Sequence, residues 1–268
     1  MLLLEHSIDH RIATVTLNRP DKRNALNASL VKELIRYLND LAMDERIRVV
    51  ILTGAGNVFS AGADLQALQQ LKSATFDDNL NDSRLLAELF TTMRTVPFII
   101  LARINGHAIA GGGGLVAASD LAIASERARF GFTEVRIGFV PALVNVLLED
   151  RMPGIHRRDL FLSGRLVDAK TARDMGLIHR VVSEQDLDGQ VQEQAAELAR
   201  NTSRTAVART KSLLNGPPDA FRKRMEAAAH LNAEARGDAE CQAGISAFLD
   251  RVDAPWVRAW DADHHDRA

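Results

Sequence analysis

Uninterrupted apolar runs that stop at turns of small residues constrain this chain more than any other feature. Residues 49–53 (Val-Val-Ile-Leu-Thr) end at Gly54-Ala-Gly56, and residues 98–102 (Phe-Ile-Ile-Leu-Ala) lead into Asn105-Gly-His-Ala-Ile-Ala-Gly-Gly-Gly-Gly114. A strand that is apolar on both faces must be covered on both faces, which is the condition met in a parallel sheet flanked by helices. Residues 12–17 (Ile-Ala-Thr-Val-Thr-Leu) alternate instead, and Pro20 closes that strand because it cannot donate to a ladder. Leu30, Leu34, Leu38 and Leu41 then recur at helical spacing, with Asn27 or Ser29 placed to cap the helix and Lys32, Glu33 and Arg36 on its wet side. Strand, helix and strand follow one another, and residues 121–124 (Leu-Ala-Ile-Ala) add a further strand after the glycine turn. The fold class is therefore α/β, with parallel strands linked by helices.

Residues 66–95, expected to line the ligand pocket, are polar with weak periodicity, and the acidic stretch 77–82 reads as a mobile loop between two helices. Beyond Val182 the pattern turns helical over residues 184–200, 204–214, 220–236 and 240–249, with a break at Gly216-Pro217-Pro218. The expected division is a core over residues 1–200 and a helical region over 201–268. Alanine-rich stripes in that region suit either a subunit interface or burial against the chain's own body.

With 46% apolar and 25% charged residues, the chain has the profile of a globular protein long enough to bury a large core. A formal charge of −2 gives no global basic field to attract nucleic acid or an anionic membrane, so neither is an expected partner. The one cysteine, Cys241, excludes an internal disulfide framework and a thiolate cluster and reads as a helix-packing residue. Glu5 and His6 interrupt the opening leucines, so no export signal is expected, and no window reaches the ~20 apolar residues of a membrane span. A cytoplasmic protein is expected.

The chemistry is expected at two small-residue turns. In Phe59-Ser-Ala-Gly-Ala-Asp64, as in the glycine turn, small side chains let the backbone approach a ligand. Two rigid N–H donors could then stabilise a carbonyl oxygen that gains charge. The first turn is expected to open into a helix at Asp64-Leu65, with Asp64 as an N-cap in the simplest case. Neither turn has the spacing of a dinucleotide fingerprint or a P-loop. His107 reads as packing or solvent-facing, Arg151, His156, Arg157 and Arg158 as a solvated basic cluster, and His264-His265 lack a third ligand for a metal.

Taken in order, Arg19-Pro-Asp-Lys-Arg-Asn-Ala-Leu-Asn27, Phe59-Ser-Ala-Gly-Ala-Asp64, Asn105-Gly-His-Ala-Ile-Ala-Gly-Gly-Gly113 and Phe130-Gly-Phe-Thr-Glu-Val-Arg-Ile-Gly138 resemble the enoyl-CoA hydratase/isomerase (crotonase) superfamily. Leu162-Ser-Gly-Arg165, Gly176-Leu177 and Gly244-Ile-Ser-Ala-Phe-Leu249 extend the resemblance over nearly the whole chain. It implies a crotonase-like stack of βαβ (ββα) units with a C-terminal helical trimerisation region, a homotrimer or dimer of trimers, and an acyl-CoA thioester as substrate. Coenzyme A then arrives as part of the substrate, with no separate cofactor and no metal.

Carried over by position, the resemblance makes the Ala61 and Gly111 amides the oxyanion donors. It places Asn24, Ala25, Leu26, Ser60, Ala61, Ala63, Asp64, Leu65 and Gly111 beside the CoA substrate. Asn24 stands where a basic residue is often found, so Lys22 or Arg23 is expected to supply a phosphate contact. Of the two glutamates used by the family's hydratases, only the later is present, as Glu134, while Gly114 holds the other position. One carboxylate still suffices to move a proton between carbons. The pattern resembles both Δ3,Δ2-enoyl-CoA isomerases and a branch of one-glutamate hydratases with a segment like Thr133-Glu-Val-Arg-Ile-Gly-Phe-Val-Pro-Ala142. Hydration of a 2-enoyl-CoA is the preferred reading, isomerisation the alternative, and a catalytically decayed CoA-binding subunit the alternative of a different class.

Overall fold

The computed structural model describes residues 4–9, 11–64, 69–70 and 74–265. Along the chain run β1 (Leu4–Asp9), β2 (Ile12–Leu17), α1 (Ala28–Met43), β3 (Val49–Gly54), β4 (Val58–Ser60) and α2 (Phe76–Thr95). They are followed by β5 (Ile99–Ile104), β6 (His107–Ile109), α3 (Gly111–Ala118), β7 (Leu121–Ser125), β8 (Arg129–Gly131), α4 (Ala142–Leu148) and α5 (Gly154–Ser163). Then come β9 (Val167–Asp168), α6 (Ala169–Asp174), β10 (Arg180–Val182), α7 (Leu187–Asn201), α8 (Arg204–Asn215), α9 (Pro218–Gly237), α10 (Ala239–Asp250) and α11 (Pro255–His265).

The larger sheet has the order β1-β2-β3-β5-β7-β10 and is parallel except for the β1–β2 pair. A smaller sheet, β4-β6-β8-β9, stands beside it and is parallel except for β8–β9. In β3, which is buried at every position, alternate residues serve two different layers. Val50 and Leu52 enter the main core with Leu30, Leu34 and Leu38 of α1, while Val49 and Ile51 pack with Leu187, Val191 and Ala195 of α7. Both faces are thus covered, as the continuous apolar run requires.

The C-terminal helices follow the sequence reading closely, but they are fastened by polar residues. Lys211 of α8 is buried and donates through Nζ to Met93 O (3.2 Å), Phe98 O (3.0 Å) and Asp120 Oδ2 (2.7 Å). Burial lowers its pKa, and Asp120 opposes that shift. Helix α9 lies along α2, and Cys241 of α10 is fully buried, in keeping with a packing role.

Two expectations about local structure are corrected. The stretch 77–82 is not a loop: it forms the first turns of the 20-residue α2, begun by a reciprocal capping box between Thr75 and Asp78. Asp77 and Asp78 complement the positive end of that helix instead of breaking it. The four glycines are likewise inside a helix, α3, although each costs roughly 1 kcal/mol of helix propensity. Tertiary packing explains them. A Cβ at Gly112 would sit 2.3 Å from Ser60 O, so only glycine lets α3 press against the first turn.

Candidate active site

Asn24 organises the first half of the site. It has a positive φ of 53° and is fully buried, with Nδ2 donating to Ala55 O (2.9 Å) and Val58 O (2.7 Å) and Oδ1 accepting from Arg19 N (3.0 Å). Ser60 Oγ donates to Asn24 O, and Arg19 Nη2 meets Asp64 Oδ2 at 2.7 Å. The side chains of Asn24, Ser60 and Asp64 therefore hold the segment 19–27 onto the first small-residue turn. Asp64 is not itself helical, as an N-cap would not be, and Leu65, where the helix is expected to begin, lies outside the described residues.

This clamp sets which amides remain available. Leu26 and Ala63 form a parallel bridge in which Leu26 N donates to Gly62 O (2.7 Å) and Asp64 N to Leu26 O (3.1 Å). The Ala61 amide, expected to face the ligand, donates to Arg23 O at 3.0 Å, which corrects that assignment. By the alternation of an extended strand, Ala63 N–H points the other way, and it has no backbone acceptor among the described residues. Gly111 N–H, at the first position of α3, is in the same condition. The two turns touch at Gly62, whose φ of +86° suits glycine and where a Cβ would lie 3.3 Å from Gly111 N.

Glu134 opens a 3-10 turn, Glu134–Ile137, that ends at Gly138 with φ +71°. It is 8% exposed, and its Oε2 has no hydrogen-bond partner among the described residues. Pairing with Arg129 or Arg136 is not seen: Arg129 turns to Asp168 and Arg136 to Ser163 O. Burial raises the Glu134 carboxyl from its ordinary 4.5 to about 7, so near neutral pH it can both take and give a proton.

Leu26, Ala61, Ala63, Gly111 and Glu134 all line one cavity of about 190 Å³. Its other walls come from Leu85 and Leu86 of α2, from Val144 of α4, and from Ile245 and Phe248 of α10. The expectation that the segment 66–95 lines the pocket thus holds for α2. A carboxylate at position 114 would require the Phe90 ring to move, because a Cβ on Gly114 would lie 2.6 Å from it.

Other sequence candidates fall elsewhere. His107 is exposed, accepts from Arg129 N, and lines a second hollow of about 560 Å³ with Arg23 and Arg127. Arg151 is not a solvated residue: it donates to Val116 O, Ala117 O and Asp120 O around the end of α3, and burial pushes its pKa down to about 10. Sequence reasoning did not find Asn232 and Arg236, two buried polar residues of α9 that line the Glu134 cavity. Their one signal is that Asn232 lies within, and Arg236 directly after, the alanine-rich stretch 227–235, four residues apart. Among the described residues, no three His, Cys, Asp or Glu converge to hold a metal, and no helix is long and apolar enough to cross a membrane.

Residues 7–259 match the family model described as enoyl-CoA hydratase/isomerase. A Thermus thermophilus protein named, provisionally, as an enoyl-CoA hydratase is 39% identical over 90% of this chain and 95% of its own length. The 2,3-dehydroadipyl-CoA hydratase of Escherichia coli is 30% identical over 91% of this chain and 94% of its own. Among solved structures, an enoyl-CoA hydratase from Mycobacterium avium superposes with a TM-score of 0.84 at 31% identity, covering 95% of this chain and 98% of that one.

Proposed function

The chain belongs to the enoyl-CoA hydratase/isomerase family, and from that premise we propose that it adds water across the double bond of a 2-enoyl-CoA, with Glu134 as the sole proton carrier. The observation that carries this reading is the buried, unpartnered Oε2 of Glu134 in the same cavity as Ala63 and Gly111. Glu134 takes a proton from water as the water oxygen bonds to C3, and the electron pair of the double bond moves onto the thioester oxygen as an enolate. The enolate then collapses, C2 takes the proton from Glu134, and the carboxylate is restored. A single carboxylate serves both halves of the addition because its pKa is near 7.

The thioester oxygen is placed between the amides of Ala63 and Gly111. Each such donor is worth roughly 2.7–4 kcal/mol in the transition state. Ala25, Leu26 and the backbone of residues 60–64 run beside the CoA portion, with coenzyme A as part of the substrate and no resident cofactor. Exposed Leu213, Leu214 and Trp260 in the 201–268 region support burial against another subunit, and a homotrimer or dimer of trimers in a cytoplasmic setting is the state proposed with this function.

Double-bond isomerisation is the second reading, and the Phe90 ring over Gly114 favours it, since shifting a proton between C2 and C4 needs one carboxylate and no water. Supplying 2-enoyl-CoA and 3-enoyl-CoA separately decides between them. Formation of 3-hydroxyacyl-CoA from the 2-enoyl thioester is expected, with loss of turnover and retention of CoA-thioester binding in Glu134→Gln. Turnover of the 3-enoyl thioester alone would establish the isomerase, and binding without turnover on either would establish the decayed subunit.

A further inference from the structure

Helix α3 presents the Gly111 amide, yet little in its own sequence holds it together. It is eight residues long, begins with four glycines and follows Ala110, whose φ of 49° and ψ of −118° are open to glycine but strained for a residue with a Cβ. The direction of Gly111 N–H depends on that same residue, because the rigid peptide plane joining Ala110 to Gly111 turns with Ala110 ψ. A strained residue keeps its conformation only where the surrounding structure leaves it no other. At the near end of α3, Ala110 N donates to Gly131 O at 2.8 Å, Gly114 N donates to Ala110 O at 3.0 Å, and Gly112 rests against Ser60 O.

The far end is held by side chains. A helix leaves its last four carbonyls without an internal donor. Here Ser119 N and Oγ donate to Leu115 O (3.1 and 2.8 Å), and Arg151 Nη1 donates to Val116 O (3.1 Å) and Ala117 O (2.7 Å). Arg151 Nη2 donates onward to Asp120 O at 2.9 Å, and Asp120 Oδ2 accepts from Ile100 N of β5 and Lys211 Nζ of α8, each at 2.7 Å. One guanidinium fork thus joins the end of α3 to a residue fixed on the large sheet. Arg151 N in turn donates to Leu148 O at the end of α4, whose Ala142, Leu143 and Val144 line the Glu134 cavity. We propose that Arg151 is a positioning residue for the reaction: by clamping the far end of α3 it keeps Ala110 in its strained conformation and so keeps the Gly111 amide aimed at the thioester oxygen. The inference rests on the acyl-CoA reading above and adds to it a residue outside the cavity lining.

The test reads the thioester carbonyl by difference infrared spectroscopy, using whichever of butyryl-, octanoyl- and dodecanoyl-CoA binds tightest, isotope-labelled at the carbonyl carbon. Values of kcat and KM are taken on the 2-enoyl thioester of that length. In the unaltered protein the bound carbonyl stretch is expected at lower frequency than in solution. Arg151→Lys keeps the charge but loses the fork, and should return most of that shift and lower kcat by roughly tenfold or more with KM little changed. Leu41→Ala truncates the core at the end of α1 opposite the cavity-lining Ala28 and Val31, and should lower stability without moving the carbonyl. Glycine takes the conformation at 110 without strain, so the effect of Arg151→Lys should shrink in an Ala110→Gly background. A shift that survives Arg151→Lys, a loss matched by Leu41→Ala, or equal losses in the two backgrounds overturns the inference alone. An unaltered protein that binds none of the three thioesters, or binds without the shift, defeats the oxyanion reading and the inference with it. If thioesters bind with the shift but none turns over, the hydratase reading fails and the carbonyl alone decides the role of Arg151. Should Arg151→Lys fail to fold, a double variant with Ala110→Gly that folds with the shift intact upholds the clamp, and one that stays unfolded or lacks the shift overturns it.

Discussion

Replacing Glu134 by glutamine should make the folded protein more stable at alkaline pH while abolishing its turnover. The carboxyl is taken to ionise near 4.5 when unfolded and near 7 when folded, because burial disfavours the charged form. The folded state therefore holds the proton more tightly, and the stability this contributes is fully present below 4.5 and is lost as pH rises through about 7. At about 1.4 kcal/mol per pH unit separating the two values, the ionised side chain costs the fold about 3 kcal/mol at high pH. Glutamine fills nearly the same space without ionising, so the variant avoids this loss. Urea unfolding of both proteins at about pH 5 and about pH 8, at one protein concentration, isolates the effect from other titrating groups. The gap between them should widen by about 2–3 kcal/mol in favour of Glu134→Gln across that interval. Parallel pH profiles would refute the claim that Glu134 is buried without a compensating partner, and with it the reason for its poise near neutrality.

Two more expectations concern the walls of the site. Gly114→Ala should cost about 1–3 kcal/mol through its clash with Phe90, and most of that cost should vanish in a Phe90→Leu background, so additivity in a double-mutant cycle of urea midpoints would exclude the contact. Asn24→Ala strips partners from Arg19 N, Ala55 O and Val58 O in a fully buried setting and should lose about 3 kcal/mol, with a raised KM as the first turn loosens; an unchanged KM would mean that the clamp does not position the substrate.

The four central strands of the large sheet, β2, β3, β5 and β7, and helices α7 to α10 were legible because each announces itself over a few residues. The runs at 12–17 and 49–53 and the leucine stripe of α1 need no knowledge of what they pack against. Helix α2 was obscured because the face it buries includes Asn79 and Ser83 beside Leu80, Ala87 and Phe90, which blurs the apolar stripe. Helix α3 contradicts its own propensity and exists only because other elements crowd it.

Motif order brings Glu134 and Gly111 forward, and the structure places both on one cavity, but that order does not separate Ala61 from Ala63. Both are alanines flanking Gly62, and only the register of the Leu26 bridge decides which amide is used up internally. Lys211, Asn232 and Arg236 look like solvated helix positions until the helices that cover them are in place.

The contact between Phe90 and Gly114 also bears on what this protein can become. A lineage acquiring a second carboxylate by changing position 114 alone meets the ring, while shrinking the ring first opens a void that costs about 3–5 kcal/mol when a phenylalanine is cut to alanine. Either order passes through a less stable intermediate, which a cell registers as reduced abundance before any catalytic gain exists. The two sites are therefore coupled in history as well as in space. A route to two-carboxylate chemistry from this chain runs through paired change at 90 and 114, or through prior stabilisation elsewhere in the fold.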